Sequence, residues 1–306
     1  MLMQFSFAVL TLLLILPFVL IYLREQHDTT QLLTAETRLL TYRGHSIAVY
    51  DYGKGDVVVL LHGFAGWSDT WAEMVTRLVT RNKRVIAIDM IGAGATSRST
   101  NPSDYTTDAQ ARMILTVLQQ LGVATATVIG HSYGGRVALQ MGLLDPARIQ
   151  KIIAIAPEAY ATHRPPMAKL VGVPVIGFAL AFWSTSPSLI GVGLRSVSKR
   201  KEWVTLAEIN RYAAPVRVKG HLRAQITQSV APKDGDMPVP RHLGRITCPV
   251  YLIWGDGDPV FPASHGLMLV EHLPDAHLAI VPNCGHVPHV EAADETWQFV
   301  DQALAS

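Results

Sequence analysis

Six short runs of apolar residues recur along the chain and predict buried β-strands. Runs of this length without polar alternation are typical of strands covered on both faces. Helical stretches lie between most of them, which predicts an α/β fold with a mostly parallel, doubly wound sheet. An antiparallel hairpin is predicted ahead of them, where R-L-L-T-Y and S-I-A-V-Y-D-Y are joined by R-G-H. The six runs are V-V-V-L-L (57–61), V-I-A-I-D (85–89), A-T-V-I-G (126–130), K-I-I-A-I-A (151–156), V-Y-L-I-W (250–254) and H-L-A-I-V (277–281).

The alternation of strands and helices stops over residues 158–240, which predicts a helical cap inserted before the late strands. Residues 170–194 carry no charged side chain there, and two prolines and four glycines disfavour one continuous helix. A lid that lines an apolar tunnel or dips into a membrane surface is favoured over a second membrane span. Residues 24–157 and 241–306 would then form the core of the molecule.

Charge is distributed unevenly between the predicted cap and the core. Residues 157–240 contain 11 Lys and Arg against 5 Asp and Glu, whereas the rest of the chain contains 15 against 19. The predicted cap is therefore basic and the remainder acidic. The Lys199-Arg200-Lys201 cluster is expected to be a solvated face, with membrane contact as a second interpretation.

The first 23 residues contain no charge and predict a membrane anchor. As a helix they would extend roughly 34 Å, enough to cross a bilayer core of about 30 Å. A cleaved signal peptide is the competing interpretation, but neither a basic start nor a small-residue cleavage site is evident; a buried core helix is the third. Arg24, Arg38 and Arg43 follow the span and no Lys or Arg precedes it, which leans toward a cytosolic catalytic domain.

The strand A-T-V-I-G runs into H-S-Y-G-G and then a helix, which puts Ser132 on a strand-to-helix turn within G-H-S-Y-G. Glycines two residues before and two after the serine let neighbouring chain pass close to so sharp a turn. The serine Oγ would then be exposed at the carboxyl edge of the sheet, where parallel sheets bind ligands. This context favours a nucleophile over a structural turn.

A serine hydroxyl needs a base that takes its proton. His286 stands in P-N-C-G-H, after the last strand and before a C-terminal helix, so its loop should emerge at the same edge as Ser132. His289 is the runner-up, whereas His131 is expected to pack and His62 to shape a loop. The sequence therefore predicts His286 as the base.

Residues 254–260 read W-G-D-G-D-P-V and offer two carboxylates at this edge. Asp256 lies between two glycines, a setting that suits a tight turn. Asp258 precedes Pro259, which restricts its backbone to extended conformations and suits a carboxylate that must hold one histidine in place. We predict Asp258 as the acid, and Glu158 as a distant alternative.

The order G-H-S-Y-G, W-G-D-G-D-P and N-C-G-H is that of the α/β-hydrolase family, which the chain resembles from the hairpin to the C-terminal helix. The resemblance implies a triad of Ser132, Asp258 and His286, because the family pattern G-x-x-D also selects Asp258. L-H-G-F is similar to the family's oxyanion loop, so the backbone N–H groups of Phe64 and Tyr133 are implied as oxyanion donors. No cofactor and no metal site is expected.

Within that family the chain looks most like membrane-anchored monoacylglycerol lipases. Its G-H-S-Y-G-G run and capped layout are also similar to carbon–carbon bond hydrolases and to cofactor-free haloperoxidase-type esterases. Ser132 argues against the epoxide hydrolases and haloalkane dehalogenases of the family, which use an aspartate there. The run I-G-A-G-A-T-S is no dinucleotide loop, because Ser97 replaces the third glycine and no helix pattern follows.

These observations predict a membrane-anchored serine hydrolase whose substrate is a small ester with an apolar part. Two alternatives stay open: hydrolysis of a carbon–carbon bond in a vinylogous diketone by the same triad, and a catalytically silent fold that serves as a receptor. No nucleic-acid partner is expected, and the oligomeric state is not predicted. The two cysteines, Cys248 and Cys284, are expected to be unpaired because they fall at opposite ends of neighbouring segments.

Overall fold

The computed structural model describes residues 2–160, 170, 173–231 and 242–305, and the side chains from residue 11 onward within those ranges. Eight strands form one sheet in the order β1-β2-β4-β3-β5-β6-β7-β8. The strands are β1 (Thr37–Tyr42), β2 (His45–Tyr52), β3 (Val57–Leu61), β4 (Arg84–Ile88), β5 (Ala126–His131), β6 (Ile149–Ile155), β7 (Val250–Gly255) and β8 (Ala276–Val281).

The pairing of the strands confirms the predicted α/β fold with a mostly parallel sheet. Strands β1 and β2 form an antiparallel hairpin, β2 pairs antiparallel with β4, and the pairs from β4 to β8 are parallel. The strand β8 differs from the expectation of two buried faces. It has a partner on one side only, and its Ile280 is 40% exposed, because an edge strand is not covered like a central one.

Helices cover both faces of the sheet, because alternate side chains of each strand point to opposite sides. Val59 and Leu61 of β3 belong to one apolar cluster, whereas Val58 and Leu60 belong to the other. Each buried aliphatic side chain of this kind contributes about 1.5–3 kcal/mol. The helices of the core are α2 (Ala72–Thr80), α3 (Thr107–Gln120), α4 (Tyr133–Leu144), and, after the cap helices described next, α9 (Ser264–His272), α10 (Pro288–Glu291) and α11 (Ala293–Ala305).

In the described residues between β6 and β7 the chain forms the α-helices α5 (Pro174–Ser184), α6 (Pro187–Ser196), α7 (Leu206–Ala213) and α8 (His221–Val230). We call them the cap helices. The prolines predicted to interrupt a long helix stand at the first turns of α5 and α6, where a missing N–H is harmless. Residues 161–169, 171–172 and 232–240 of the predicted cap lie outside the described residues.

The N-terminal helix α1 (Leu2–Arg24) packs against α5 of the cap. Phe18 stacks on Phe178 with ring centroids 4.3 Å apart. Arg24 donates from Nη1 to the carbonyl oxygen of Phe182 at 2.8 Å. The carboxylate of Glu25 accepts the backbone N–H groups of Gly220 and Leu222 at 2.7 and 2.8 Å, which satisfies free donors at the start of α8. These contacts therefore hold the N-terminal segment against the cap.

Among the residues whose side chains the structure describes, no single helix is both long and apolar enough to cross a membrane, and the apolar stretch Thr11–Arg24 is among the shorter ones. Helices α5 and α6 taken together have the length and apolar composition to cross a membrane, but they are bent by 84° at their junction.

Candidate active site

The serine predicted as nucleophile lies between β5 and α4, at a backbone conformation that few residues adopt. Ser132 has φ 52° and ψ −116°, the strained region expected of a sharp turn. A Cβ on Gly130 would come 2.3 Å from the carbonyl oxygen of Gly134, and a Cβ on Gly134 would come 2.3 Å from that of Leu61. Only glycine fits at these two positions, and so the turn depends on both.

The structure brings three predicted side chains from separate loops into one hydrogen-bonded chain. His286 Nε2 lies 3.1 Å from Ser132 Oγ, and His286 Nδ1 lies 2.8 Å from Asp258 Oδ2. All three residues are buried. With Nδ1–H donating to the carboxylate, Nε2 is left to accept the serine proton. This arrangement can activate a hydroxyl group as a nucleophile.

The two aspartates of the W-G-D-G-D-P-V run have different partners. Asp258 Oδ1 accepts the backbone N–H groups of Val260 and Phe261 at 2.7 and 3.0 Å, so one oxygen is fixed while the other faces His286. Asp256 accepts the N–H of Cys284 at 3.2 Å, and backbone N–H donors hold the pKa of its carboxyl below the usual value. Asp256 therefore closes the turn between the β7 and β8 loops.

His131, expected only to pack, also joins the serine turn to the histidine loop. Its Nε2–H donates to the carbonyl oxygen of His286 at 2.8 Å. Burial, with His289 and His286 beside it, holds the pKa of His131 well below its usual range, so the ring is a neutral donor. His289 stacks on Trp71 and His131 and is not the partner of the serine hydroxyl.

His62 shapes its loop, as expected. Its Nδ1–H donates to the carbonyl oxygen of Gly63 at 2.8 Å, and its Nε2 accepts the N–H of Met90 at 3.1 Å. This pattern fixes one neutral tautomer, in keeping with a pKa that burial lowers.

Glu291 holds the histidine loop against the cap, and the sequence analysis missed it. Its buried carboxylate accepts the N–H of Gly285 at 2.9 Å through one oxygen. The other oxygen accepts the N–H groups of Lys199 and Arg200 at 2.6 and 2.7 Å. Lys199 and Arg200 lie about 90 residues from Glu291 in sequence, so no local pattern identifies it.

A cavity of about 870 Å³ opens beside Ser132 and His286. Apolar side chains of the cap, such as Leu189, Val192 and Val216, form much of its wall. Arg136 and Glu158 also line it, with Arg136 Nη1 4.0 Å from Glu158 Oε1. Glu158 thus faces a guanidinium group, and in the structure it is Asp258 that contacts His286.

The two residues predicted to supply oxyanion donors line the same cavity as Ser132. Tyr133 is the first residue of α4, where backbone N–H groups have no acceptor within the helix. Phe64 follows Gly63, where a Cβ would come 3.3 Å from the Cβ of Ser132, so the two loops are in close contact. The geometry thus brings both loops to the nucleophile.

The fold and the site together define a hydrolase of the α/β type. Residues 56–293 match the family model described as "alpha/beta hydrolase fold". The chain belongs to this family.

This chain is similar to known proteins of two kinds, dienoate hydrolases and a membrane phospholipase A. A 2-hydroxy-6-oxo-6-phenylhexa-2,4-dienoate hydrolase of Burkholderia cepacia is 30% identical over 268 residues, which cover 85% of this chain and 90% of that protein. The solved structure of the enzyme of that name from Rhodococcus sp. strain RHA1 has a TM-score of 0.74 at 21% identity, covering 89% of this chain and 98% of that one. A membrane phospholipase A structure has a TM-score of 0.70 at 22% identity and covers 100% of this chain and 98% of that one. The two structural likenesses show the fold.

Asp258→Asn should lower kcat by about 10³- to 10⁴-fold, because an amide disfavours the histidine tautomer that accepts the serine proton. Asp256→Asn is the matched control. Its side-chain oxygen can still accept the N–H of Cys284, so its kcat should stay close to that of the wild type. Initial rates with a p-nitrophenyl ester measure both. Equal losses in the two variants would contradict the separate roles.

His289 should make the fold sensitive to acid. Burial lowers its pKa to about 3, against about 6.5 in an unfolded chain. The unfolded chain therefore binds a proton first as the pH falls, so the stability is full above about pH 6.5 and declines between pH 6.5 and 3. Between pH 7 and pH 5, this histidine should cost about 2 kcal/mol of unfolding free energy.

Urea unfolding of the wild type and of His289→Gln at pH 7 and pH 5 tests this. Over that interval the free energy of unfolding of the variant should fall by about 2 kcal/mol less than that of the wild type. Trp71→Phe is the control, because it disturbs the same stack but keeps the titrating ring. An identical loss in wild type and His289→Gln would show that the term is absent.

Proposed function

We propose that this protein is a serine hydrolase that cleaves carboxylic esters with an apolar part. The observation that carries the proposal is the hydrogen-bonded chain from Ser132 through His286 to Asp258 at the wall of a large, mostly apolar cavity. The reaction class follows from the activated hydroxyl. The substrate class follows from the cavity.

In the proposed reaction, Ser132 Oγ attacks the ester carbonyl while His286 Nε2 takes its proton. The backbone N–H groups of Phe64 and Tyr133 would hold the oxyanion, and the loss of one such donor typically costs about 3 kcal/mol of transition-state stabilisation. His286 then gives the proton to the leaving alcohol, and an acyl group remains on the serine. Water releases the acid by the same route, while Asp258 stabilises the imidazolium.

The charges that line the cavity favour a substrate without a free carboxylate. Among the described lining residues, Arg136 is the only Lys or Arg, and Glu158 faces it at 4.0 Å. A substrate anion would compete with that carboxylate for the guanidinium group and would be repelled by it. An uncharged apolar chain meets no such penalty.

A second candidate is hydrolysis of a carbon–carbon bond beside a ketone by the same triad. The names of the relatives favour it over ester cleavage, since the Burkholderia cepacia protein at 30% identity is named for a dienoate substrate. Here water would add to the ketone carbon with serine or histidine assistance, and the carbon–carbon bond would break. The dienoate carries a carboxylate, which the Arg136 and Glu158 pair would have to accept.

Substrate profiling separates the two candidates. We expect turnover of p-nitrophenyl esters, rising with acyl chain length until the cavity is filled, and weak or no turnover of 2-hydroxy-6-oxo-6-phenylhexa-2,4-dienoate. The reverse ranking would replace the first candidate with the second. Ser132→Ala is the control for both, and fluorophosphonate labelling that survives it would contradict the serine mechanism itself.

We also propose that α1 anchors the protein to a membrane, with the catalytic domain on the cytosolic side, as the arginines after the helix suggest. Apolar side chains of α1 and of the bent pair α5 and α6 are exposed, which suits contact with lipid. On α1 these include Leu12, Ile15, Val19, Tyr22 and Leu23, and on the bent pair Val175, Leu189 and Val192.

Aspartate substitutions at Leu12, Ile15 and Val19 together should move the full-length protein from the alkali-washed membrane fraction to the supernatant. An aspartate at the centre of a membrane helix costs about 2.5–3.5 kcal/mol. Leu206→Asp, at an exposed leucine of α7, is the control and should leave the distribution unchanged. Retention of the triple variant in the membrane fraction would contradict the proposed anchor.

A further inference from the structure

A second cavity of about 280 Å³ lies behind the loop that carries Asp258. It is lined by Gly257 and Pro259, on either side of that aspartate, and by the segment that follows α6. Three exposed cations, Arg195, Lys199 and Lys201, are among the residues that line it, and no acidic residue is among the described ones. The segment itself, residues 195–201, reads R-S-V-S-K-R-K and contains no acid.

The three cations of this cavity are not neutralised by neighbours. In the described part of the chain, Arg195, Lys199 and Lys201 form no ion pair, whereas the intervening Arg200 pairs with Glu295 at 2.6 Å. Arg195 Nη2 donates to the carbonyl oxygen of Val204 at 3.0 Å, which fixes its guanidinium group and leaves other N–H donors. Unpaired positive charges that line one small cavity attract an anion.

The acids nearest to this cluster are engaged elsewhere. Glu291 accepts the backbone N–H groups of Lys199 and Arg200. Asp256 feels the charge of Lys199, but backbone N–H donors are the main cause of its lowered pKa, and it closes its own turn. Glu202 is exposed and follows Lys201 directly in the chain. None of the three lines the cavity.

The hydroxyl groups of the cavity are already used. Ser196 Oγ donates to the carbonyl oxygen of Gly193 at 2.7 Å, and Ser198 Oγ donates to that of Leu194 at 2.8 Å. Recognition of a ligand therefore falls to the three cations. Several charged donors in a small space suit a tetrahedral anion with several acceptor oxygens better than a planar carboxylate, which offers two.

We propose that the cavity formed by Arg195, Lys199, Lys201 and Gly257 is a binding site for a phosphate group. The phosphate can be free or part of a phospholipid headgroup, and both sources present the same oxygens to the cations. The site is distinct from the triad and does not depend on the proposed ester hydrolysis.

The site has a direct mechanical link to the catalytic loop. A Cβ on Gly257 would come 2.1 Å from Lys199 Cε, so the lysine chain lies flat on the glycine next to Asp258. A phosphate that binds the Lys199 ammonium group would hold this chain in place across the loop. Gly257→Ala should therefore displace Lys199 and weaken phosphate binding without removing a charge.

The test uses the full-length Ser132→Ala protein in neutral detergent, so that binding is measured without turnover and its failure says nothing about the proposed hydrolysis. Calorimetry with inorganic phosphate measures the free ion, and calorimetry with detergent micelles that contain either phosphatidylglycerol or phosphatidylcholine measures the headgroup. Replacing Arg195, Lys199 and Lys201 by glutamine should weaken binding by about ten-fold or more, because each replacement removes a charged donor.

The matched control replaces Arg43, Lys54 and Arg245, three exposed cations on other surfaces, by glutamine. Loss of inorganic phosphate binding in the cavity variant alone supports the site and identifies free phosphate as a ligand. Loss of binding to phosphatidylglycerol micelles but not of phosphate, again in the cavity variant alone, supports the site and identifies the phospholipid headgroup. Equal loss in both variants would mean diffuse attraction to surface charge, and unchanged binding in the cavity variant would mean no site; either result overturns the proposal.

Discussion

The close approach of Gly130, Gly134 and the end of β3 is the constraint on which the active site depends. Ser132 has a positive φ, a conformation that costs about 1–3 kcal/mol and persists only where the surroundings impose it. They do so because a parallel sheet fixes β5 between β3 and β6, and α4 leaves β5 at once. The nucleophile is therefore positioned by the rigid core, whereas its two partners stand on loops.

Those loops are positioned by polar contacts. His131 reaches from the serine turn to the backbone of His286, and Glu291 holds Gly285 while it also binds the segment after α6. The N–H of His286 donates to the carbonyl oxygen of Val197 in the same segment, at 2.8 Å. The general base thus depends on the cap for part of its position, although the two are far apart in sequence.

How much could be predicted from the sequence follows from this division. Local patterns were sufficient for the hairpin, for the parallel strands and for the serine turn, because periodicity and glycine spacing are properties of neighbouring residues. The edge position of β8 could not be seen, since its run of apolar residues resembles those of central strands. Glu291 and the hydrogen bond of His131 could not be seen either, because their partners become neighbours only after the sheet and the cap have assembled.

The cap is held at two ends by hydrogen bonds of different origin. At one end the segment after α6 binds Glu291 and the His286 loop; at the other, Arg24 and Glu25 bind α5 and the start of α8. Between them lie apolar side chains that form much of the cavity wall. A shift of α1 would therefore be transmitted to α5 and α8, while the end near His286 would stay fixed by the core. The contacts near Glu291 therefore have two roles, because they hold one end of the cap and also position the loop of the general base.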